Sequence, residues 1–373
     1  MKGSSLAACV VVALAAGVPG PAAAIGADCE LDGQRVNLDN GSTTAGKSGM
    51  VVCRDRESGK IVREERWVNG RQLGYRKSTD LFGNVIVANV NERGNLDGEY
   101  RSFHPTGRPR SEEAYRDGSR IGLGRFFNRD GGLEKVSFAE PRKGELAVMA
   151  FNARGQLTEL RCADRPLLPD DRKPCGFDGP AETDLFNARG EPAGRVRHAQ
   201  GRRVATTVLG AGGVRSASEE VDGARTIRRA YHGGGELRLE TTFVDGRRRA
   251  ETEYAREGQK LREAQWDERG LVQETQWFMN GSLKRKEAPA SGAPAGARAL
   301  EEYWDNGRLR SRGVVGERGQ PLGLVQTWRE SGAPWTEVTY DKGRPVRKRE
   351  FDAGGALVSD DEYYEDGSRK PAR

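Results

Sequence analysis

The chain is poor in most of what builds a globular enzyme. Only 35% of its 373 residues are hydrophobic, which excludes a thick core of packed side chains. Histidine occurs only at 104, 198 and 232, and there is no C-x-x-C pair, so the usual zinc ligand sets are missing. Past the first two dozen residues no apolar run is long enough to span a bilayer as a helix. Amphipathic helix periodicity is nearly absent as well. Nor is there a face of one charge sign: 61 basic and 55 acidic residues leave +6. The densest basic run, Gly246-Arg247-Arg248-Arg249, is answered at once by Glu251 and Glu253. Nucleic-acid proteins concentrate cations on one surface, and this pattern argues against that class. Low apolar content would suit disorder, but 26 regularly placed aromatic residues do not.

What the chain has in abundance is glycine, at 50 positions, returning every 11 to 13 residues with an aromatic ring three or four places earlier. Gly107, Gly118, Gly246, Gly258, Gly270, Gly281, Gly307, Gly332, Gly343 and Gly367 carry this beat as turn positions. Two turns per period of about two dozen residues mark a repeat architecture, in which each unit buries surface only against its neighbours. Between turns, apolar and polar residues alternate, as in Leu237-Arg238-Leu239-Glu240-Thr241-Thr242-Phe243. That period of two predicts strands with one dry face. Asn69-Gly70, Asp117-Gly118, Asp245-Gly246, Asn280-Gly281, Asn306-Gly307 and Asp366-Gly367 read as tight hairpin turns with both residues at positive φ. The expected fold is all-β: an elongated single layer of antiparallel β-hairpins.

The N-terminus reads as a signal peptide over 1–24, with Lys2, the apolar Leu6 to Val18 and an Ala22-Ala23-Ala24 cleavage site. Leu6-Ala7-Ala8-Cys9 spells a lipobox, but it precedes most of the apolar stretch instead of following it, which speaks against lipidation. An exported mature chain, periplasmic or secreted, keeps Cys29, Cys53, Cys162 and Cys175, an even set that reads as disulfides. Three connectivities exist; short loops favour Cys29–Cys53 and Cys162–Cys175. The expected organisation is an N-terminal cap over 25–54 and hairpin repeats over 55–155, 186–285 and 299–370. A Cys/Pro-rich loop over 156–185 and a flexible insertion over 286–298 separate them.

Motifs that suggest chemistry dissolve in context. Gly41-Ser42-Thr43-Thr44-Ala45-Gly46-Lys47-Ser48 spells a phosphate-binding loop, but a strand-like stretch follows where that loop needs a helix. His232-Gly233-Gly234-Gly235 resembles an esterase oxyanion loop without the G-x-S-x-G that would accompany it. Acidic pairs such as Glu301-Glu302 and Asp360-Asp361 are not singled out among 55 acids. No catalytic, cofactor or metal residue emerges, and the chain reads as a non-enzyme. Most rings keep the turn register and read as cohesion between hairpins. Trp335 and Tyr363 read as one place off that register or on the opposite face; with Trp304 they are the candidate binding residues within a tryptophan-rich C-terminal half.

Tyr100-Arg101-Ser102-Phe103-His104-Pro105-Thr106-Gly107, followed by Glu112-Glu113-Ala114-Tyr115-Arg116-Asp117-Gly118-Ser119-Arg120-Ile121-Gly122, resembles the variant MORN repeat of bacteria. That repeat runs aromatic, spacer, glycine, Glu-rich strand, tyrosine, Asn/Asp-Gly, then a second glycine four residues on. The second glycine is often missing here, as after Gly246 and Gly258, so less uniform hairpins are expected. The resemblance implies a one-layer run of hairpins and an antitoxin-like role, a label that many such bacterial proteins carry. The expected function is an exported scaffold that binds a protein partner, with an antitoxin or immunity role as its narrowest form. The alternative is binding of cell-wall or other polysaccharide through exposed rings. No nucleic acid, cofactor or transmembrane span is expected.

Overall fold

The computed structural model describes residues 26–370. The expected leader lies outside the described residues. Two compact units divide the chain, Met1–Glu145 and Leu146–Arg373. The division falls inside the first repeat block expected over 55–155. Among the described residues, strands dominate both units, and the only helical pieces are two 3-10 turns, Gly41–Thr43 and Ala211–Gly213.

In the first unit each strand pairs antiparallel with the next, except at the start. There Ala27–Leu31 lies between Gln34–Val36 and Gly49–Asp55. In the second unit Gly144–Phe151, which spans the division, pairs with Leu157–Arg161. A 17-stranded antiparallel sheet then runs in strict chain order from Ala181–Phe186 to Arg369–Lys370. It is a single layer of hairpins, each strand making its contacts with its sequence neighbours.

Turn chemistry sets the repeat. Asn69-Gly70, Asp117-Gly118 and Asp245-Gly246 are two-residue turns with both φ positive, at 50° and 81°, 46° and 81°, and 51° and 73°. Asn280-Gly281, Asn306-Gly307 and Asp366-Gly367 are not: only their glycines have positive φ. They end three-residue loops, in which the Gly281, Gly307 and Gly367 N–H groups each donate at 2.9 Å to Phe278, Trp304 and Tyr364 carbonyls. A one-residue bulge follows the loops closed by Gly281 and Gly307, as where Trp277 faces Leu283. Ring spacing follows the distinction only in part, since Phe278, Trp304 and Tyr364 stand three places before glycines of three-residue loops. Trp67, Tyr115, Phe243 and Tyr340 stand three places before glycines of two-residue turns. Phe103, Phe127, Tyr254, Trp277, Trp328 and Phe351 stand four places before the glycine of a longer loop.

The second glycine has a structural meaning. Gly74, Gly98, Gly122 and Gly323 each follow a turn glycine by four residues and take φ of 84°, 104°, 67° and 63°. At each, one residue on one strand faces three on the other, as Glu113 faces Gly122, Leu123 and Gly124. Where Ala250 or Arg347 replaces that glycine, the irregularity shrinks to a single extra residue.

With so few buried apolar side chains, cohesion comes from cross-strand pairs. Leu31, Val36, Val51 and Cys53 form a small core beside the Cys29–Cys53 disulfide, whose residues face each other directly. Leu160, Cys175 and Val196 form a second beside Cys162–Cys175, the other bridge. The expected loop over 156–185 narrows to 162–180, flanked by strands. It is anchored through Gly201 N–H to Cys175 O at 2.9 Å and Gln200 N–H to Gly176 O at 3.0 Å. In the flexible insertion expected over 286–298, residues 286–289 and 298 lie in paired strands and 290–297 form the loop between them. Leu283–Pro289 pairs with Arg298–Tyr303, and Ala290 N–H donates to Ala297 O at 3.0 Å. Proline at 289 and 294 is tolerated there because 289 ends the strand and 294 lies in the turn.

Candidate partner-binding surface

The polar side chains that suggested chemistry are consumed by the sheet. Arg262 bridges two strands, donating to Glu251 at 2.8 Å and to Glu274 at 2.9 Å. That pairing, against partial burial, holds the Glu274 carboxyl below the usual range. Glu301 accepts from Tyr303 Oη at 2.7 Å and from Arg312 at 2.9 Å, while burial and Glu301 push Tyr303 up to about 12. Asp360 pairs with Arg347 and Asp361 with Arg369. In the first unit, burial would raise Glu145, but hydrogen bonds from Lys135 and Arg120 hold it down at about 2. Among the described residues no group of three or more His, Cys, Asp or Glu is disposed to hold a metal ion.

Histidines and turn side chains tie hairpins together. His104 and His232 open three-residue loops and bond through Nε2 to the carbonyls of Phe127 and Tyr254, at 3.0 and 3.2 Å. Trp304 Nε1 donates to Trp328 O at 3.2 Å, and Arg329 to Phe351 O at 3.0 Å. Each link joins a loop to the strand end just before a loop 23 to 25 residues later on the same side of the sheet. The Gly41–Ser48 stretch is a cap: Gly41–Thr43 is one 3-10 turn, and a strand begins at Gly49. Its Lys47 carbonyl accepts from Gly70 N–H at 2.8 Å, so its backbone serves the neighbouring turn.

The candidate rings separate. Trp304 is half-buried, with Arg310 over its ring at 4.9 Å. Tyr363 is half-buried and stands four places before Gly367, in the loop register of the other rings, so its reading as off-register is corrected. Trp335 is 48% exposed, with Arg329 over its ring at 5.5 Å. Trp335 follows one turn and Tyr363 precedes a turn on the opposite edge, so the two do not form one patch.

A different surface stands out. In the first unit an open groove of about 920 Å³ runs beside the loops at 80–83, 104–107 and 128–131. Ile86, Tyr100, Ser102, Ser111 and Phe126 line its floor, and Phe82, Pro105, Arg110 and Arg129 lie at its rim. Ser102 and Ser111 hydroxyls meet at 2.8 Å in the floor. Lys135 and Arg120 cover Phe126 at 4.7 and 5.5 Å. The rim loop Asp80-Leu81-Phe82-Gly83 has its fold fixed by Asp80, whose Oδ1 accepts from the Phe82 and Asn84 N–H groups at 2.9 and 2.8 Å. Those bonds hold Leu81 at 101% and Phe82 at 82% exposure, the most exposed large apolar side chains among the described residues. Periodicity does not flag this pair; the sign is local. Equivalent loop tips read Pro105-Thr106, Arg129-Asp130, Arg256-Glu257 and Asp305-Asn306, none with two large apolar residues.

No helix among the described residues is long and apolar enough to cross a membrane. No family profile matches the chain, and no curated protein matches it. Solved structures with local similarity include S. aureus TarM, 9% identical with a TM-score of 0.20, covering 23% of this chain and 18% of that one. A TcdB2–TccC3–Cdc42 complex is 11% identical with a TM-score of 0.19, covering 82% of this chain and 20% of that one. The Photorhabdus luminescens Tc holotoxin pore is 9% identical, also at 0.19, covering 86% and 23%. The chain thus spans under a quarter of each of these solved chains, and at such TM-scores none lends it a function.

Proposed function

We propose that this chain is an exported, non-enzymatic β-hairpin scaffold that binds a protein partner, with an antitoxin or immunity role as the narrowest form of that reading. The observation that carries it is the highly exposed Leu81-Phe82 tip over an open groove, on a molecule whose other described rings are mostly engaged within the sheet. Exposed apolar side chains of this size, held in place by a rigid loop, are what protein interfaces use as anchors. Two disulfides fit an exported, oxidising setting. Polysaccharide binding is a second reading, favoured by the half-exposed Trp335. In-cell photo-crosslinking with benzophenone side chains in place of Phe82 and of Trp335, alongside retention of the purified protein on polysaccharide columns, tests the two. Defined protein adducts without column retention support the scaffold. Retention that Trp335→Ala abolishes, without protein adducts, overturns it.

A further inference from the structure

We propose that Asn40 is a self-modification site: the Gly41 backbone nitrogen attacks the Asn40 carboxamide, expels ammonia and leaves a succinimide that water opens to aspartate or isoaspartate.

The residues supply the chemistry. Four Asn-Gly steps occur in the chain, at 40–41, 69–70, 280–281 and 306–307. Glycine permits the attack because no Cβ shields the nitrogen of its peptide bond or restricts its rotation. In the step itself the Gly41 N–H proton passes to solvent and its nitrogen bonds to Asn40 Cγ. The Cγ–Nδ2 bond breaks, and Nδ2 takes up a proton and leaves as ammonia. Water then opens the five-membered imide at one of its two carbonyls. Opening at Cγ restores the normal backbone with aspartate at 40. Opening at the backbone carbonyl routes the chain through Cγ as isoaspartate. Nothing is oxidised or reduced, and water is the one co-reactant.

The structure separates the four steps. Three have the attacking nitrogen engaged: Gly70 N–H donates to Lys47 O at 2.8 Å, and Gly281 and Gly307 N–H donate to Phe278 O and Trp304 O at 2.9 Å. Two of these also hold the leaving group, since Asn280 Nδ2 donates to Asp305 O at 2.8 Å and Asn306 Nδ2 to Glu330 O at 3.1 Å. At 40–41 neither restraint exists among the described residues. Gly41 opens a single 3-10 turn, so its N–H is one of the orphan donors of a helix start. Both residues are exposed. Asn40 Oδ1 meanwhile accepts from Ser42 N–H at 3.1 Å and from the Ser42 hydroxyl at 2.8 Å. Those donors polarise Cγ and stabilise the negative charge that grows on its oxygen during attack.

The resting turn sets what must move. Asn40 has ψ 96°, which turns the Gly41 nitrogen away from Cγ. Ring closure needs that peptide to rotate, releasing the Asn40 carbonyl from Thr43 N–H at 3.1 Å and Thr43 Oγ1 at 2.9 Å. Both bonds lie inside one exposed turn, whereas freeing Asn280 or Asn306 also breaks a link to the next hairpin. Conversion adds a negative charge to the N-terminal cap. The isoaspartyl form also lengthens the backbone beside the stretch whose Lys47 carbonyl holds Gly70.

The sequence carries its own control, because Asn-Gly-Ser occurs at both 40–42 and 280–282. The full mature protein is incubated in mildly alkaline buffer made with heavy-oxygen water, then digested in ordinary water at acid pH. Peptide mapping by mass spectrometry, with electron-transfer fragmentation to tell isoaspartate from aspartate, follows both steps. In the folded protein Asn40 should convert roughly tenfold or more faster than Asn280, a gap supplied by the further hydrogen bonds at Asn280. In guanidinium the identical tripeptides should convert at similar rates. Gly41 lies outside the left-handed region with open space where a Cβ would sit, so Gly41→Ala keeps the turn and should slow conversion at 40 by roughly tenfold. Equal rates at 40 and 280 in the folded protein overturn the proposal. So does an unchanged Asn40 after the unfolded chain has converted both steps, or conversion at 40 that Gly41→Ala leaves unaltered.

Discussion

At the scale of single residues, backbone conformation decides more than side-chain contact. Gly122 has φ 67° with open space where a Cβ would sit, so its replacement tests backbone strain alone. Gly122→Ala should cost about 1 kcal/mol and Gly122→Asn clearly less, because Asn tolerates the left-handed region, as read from urea midpoints. Gly201 is different. A Cβ there would lie 1.9 Å from the Ala163 carbonyl, so Gly201→Ala must displace the disulfide-closed loop as well and should cost more than Gly122→Ala. His198, 2% exposed with Nδ1 unpartnered, is held neutral by burial and by nearby Arg203, and its folded pKa falls below its unfolded value. The unfolded chain therefore binds the proton more readily, and stability present above the unfolded pKa is lost as pH falls through that value toward the folded one. His198→Gln should flatten the fall in thermal midpoint between about pH 7 and pH 5 relative to wild type.

At the scale of elements, ion pairs take over part of the role of a core. Arg262 sits between two carboxylates that are each about 15% exposed. Arg262→Met should destabilise the second unit by roughly 1–3 kcal/mol, since Glu251 and Glu274 keep their burial and lose their shared donor. Removing all three charges together as Met, Gln and Gln should cost less than the three single costs added. A double- and triple-mutant cycle in urea measures that coupling. Additivity within error would show that the ladder is a set of independent surface pairs.

At the scale of the molecule, each of the two bridges stands beside a small buried apolar cluster. Cys29–Cys53 closes the first small core, and Cys162–Cys175 fastens the loop ahead of the 17-stranded sheet. Cys162→Ser with Cys175→Ser should lower stability by about 3 kcal/mol and open a protease site between 163 and 174, with the first unit's cleavage pattern unchanged. Limited proteolysis with mass spectrometry reads both outcomes.

Alternation, glycine spacing and Asn-Gly or Asp-Gly steps were enough to specify an all-β run of hairpins, because period-two patterning and positive φ are local properties. The second-glycine motif went further at Gly122; Gly74, Gly98 and Gly323 share its position and positive φ in the assembled sheet. Its physical consequence, three residues facing one, needed the paired strand. Turn type at Asn280, Asn306 and Asp366 was not legible, since an Asn-Gly or Asp-Gly step suits either loop length and rings stand both three and four places before each glycine. Which rings are bare was legible only in part: Trp335 reads as off the turn register and is 48% exposed. The partner of the Trp304 ring was not legible: its N–H goes to the next hairpin while Trp335 faces solvent, contacts set by strand register. The groove likewise joins residues from 80 to 134 that only the pairing of alternate strands brings to one rim. Local rules fix the elements; the neighbours a side chain meets across strands exist only once the sheet is assembled.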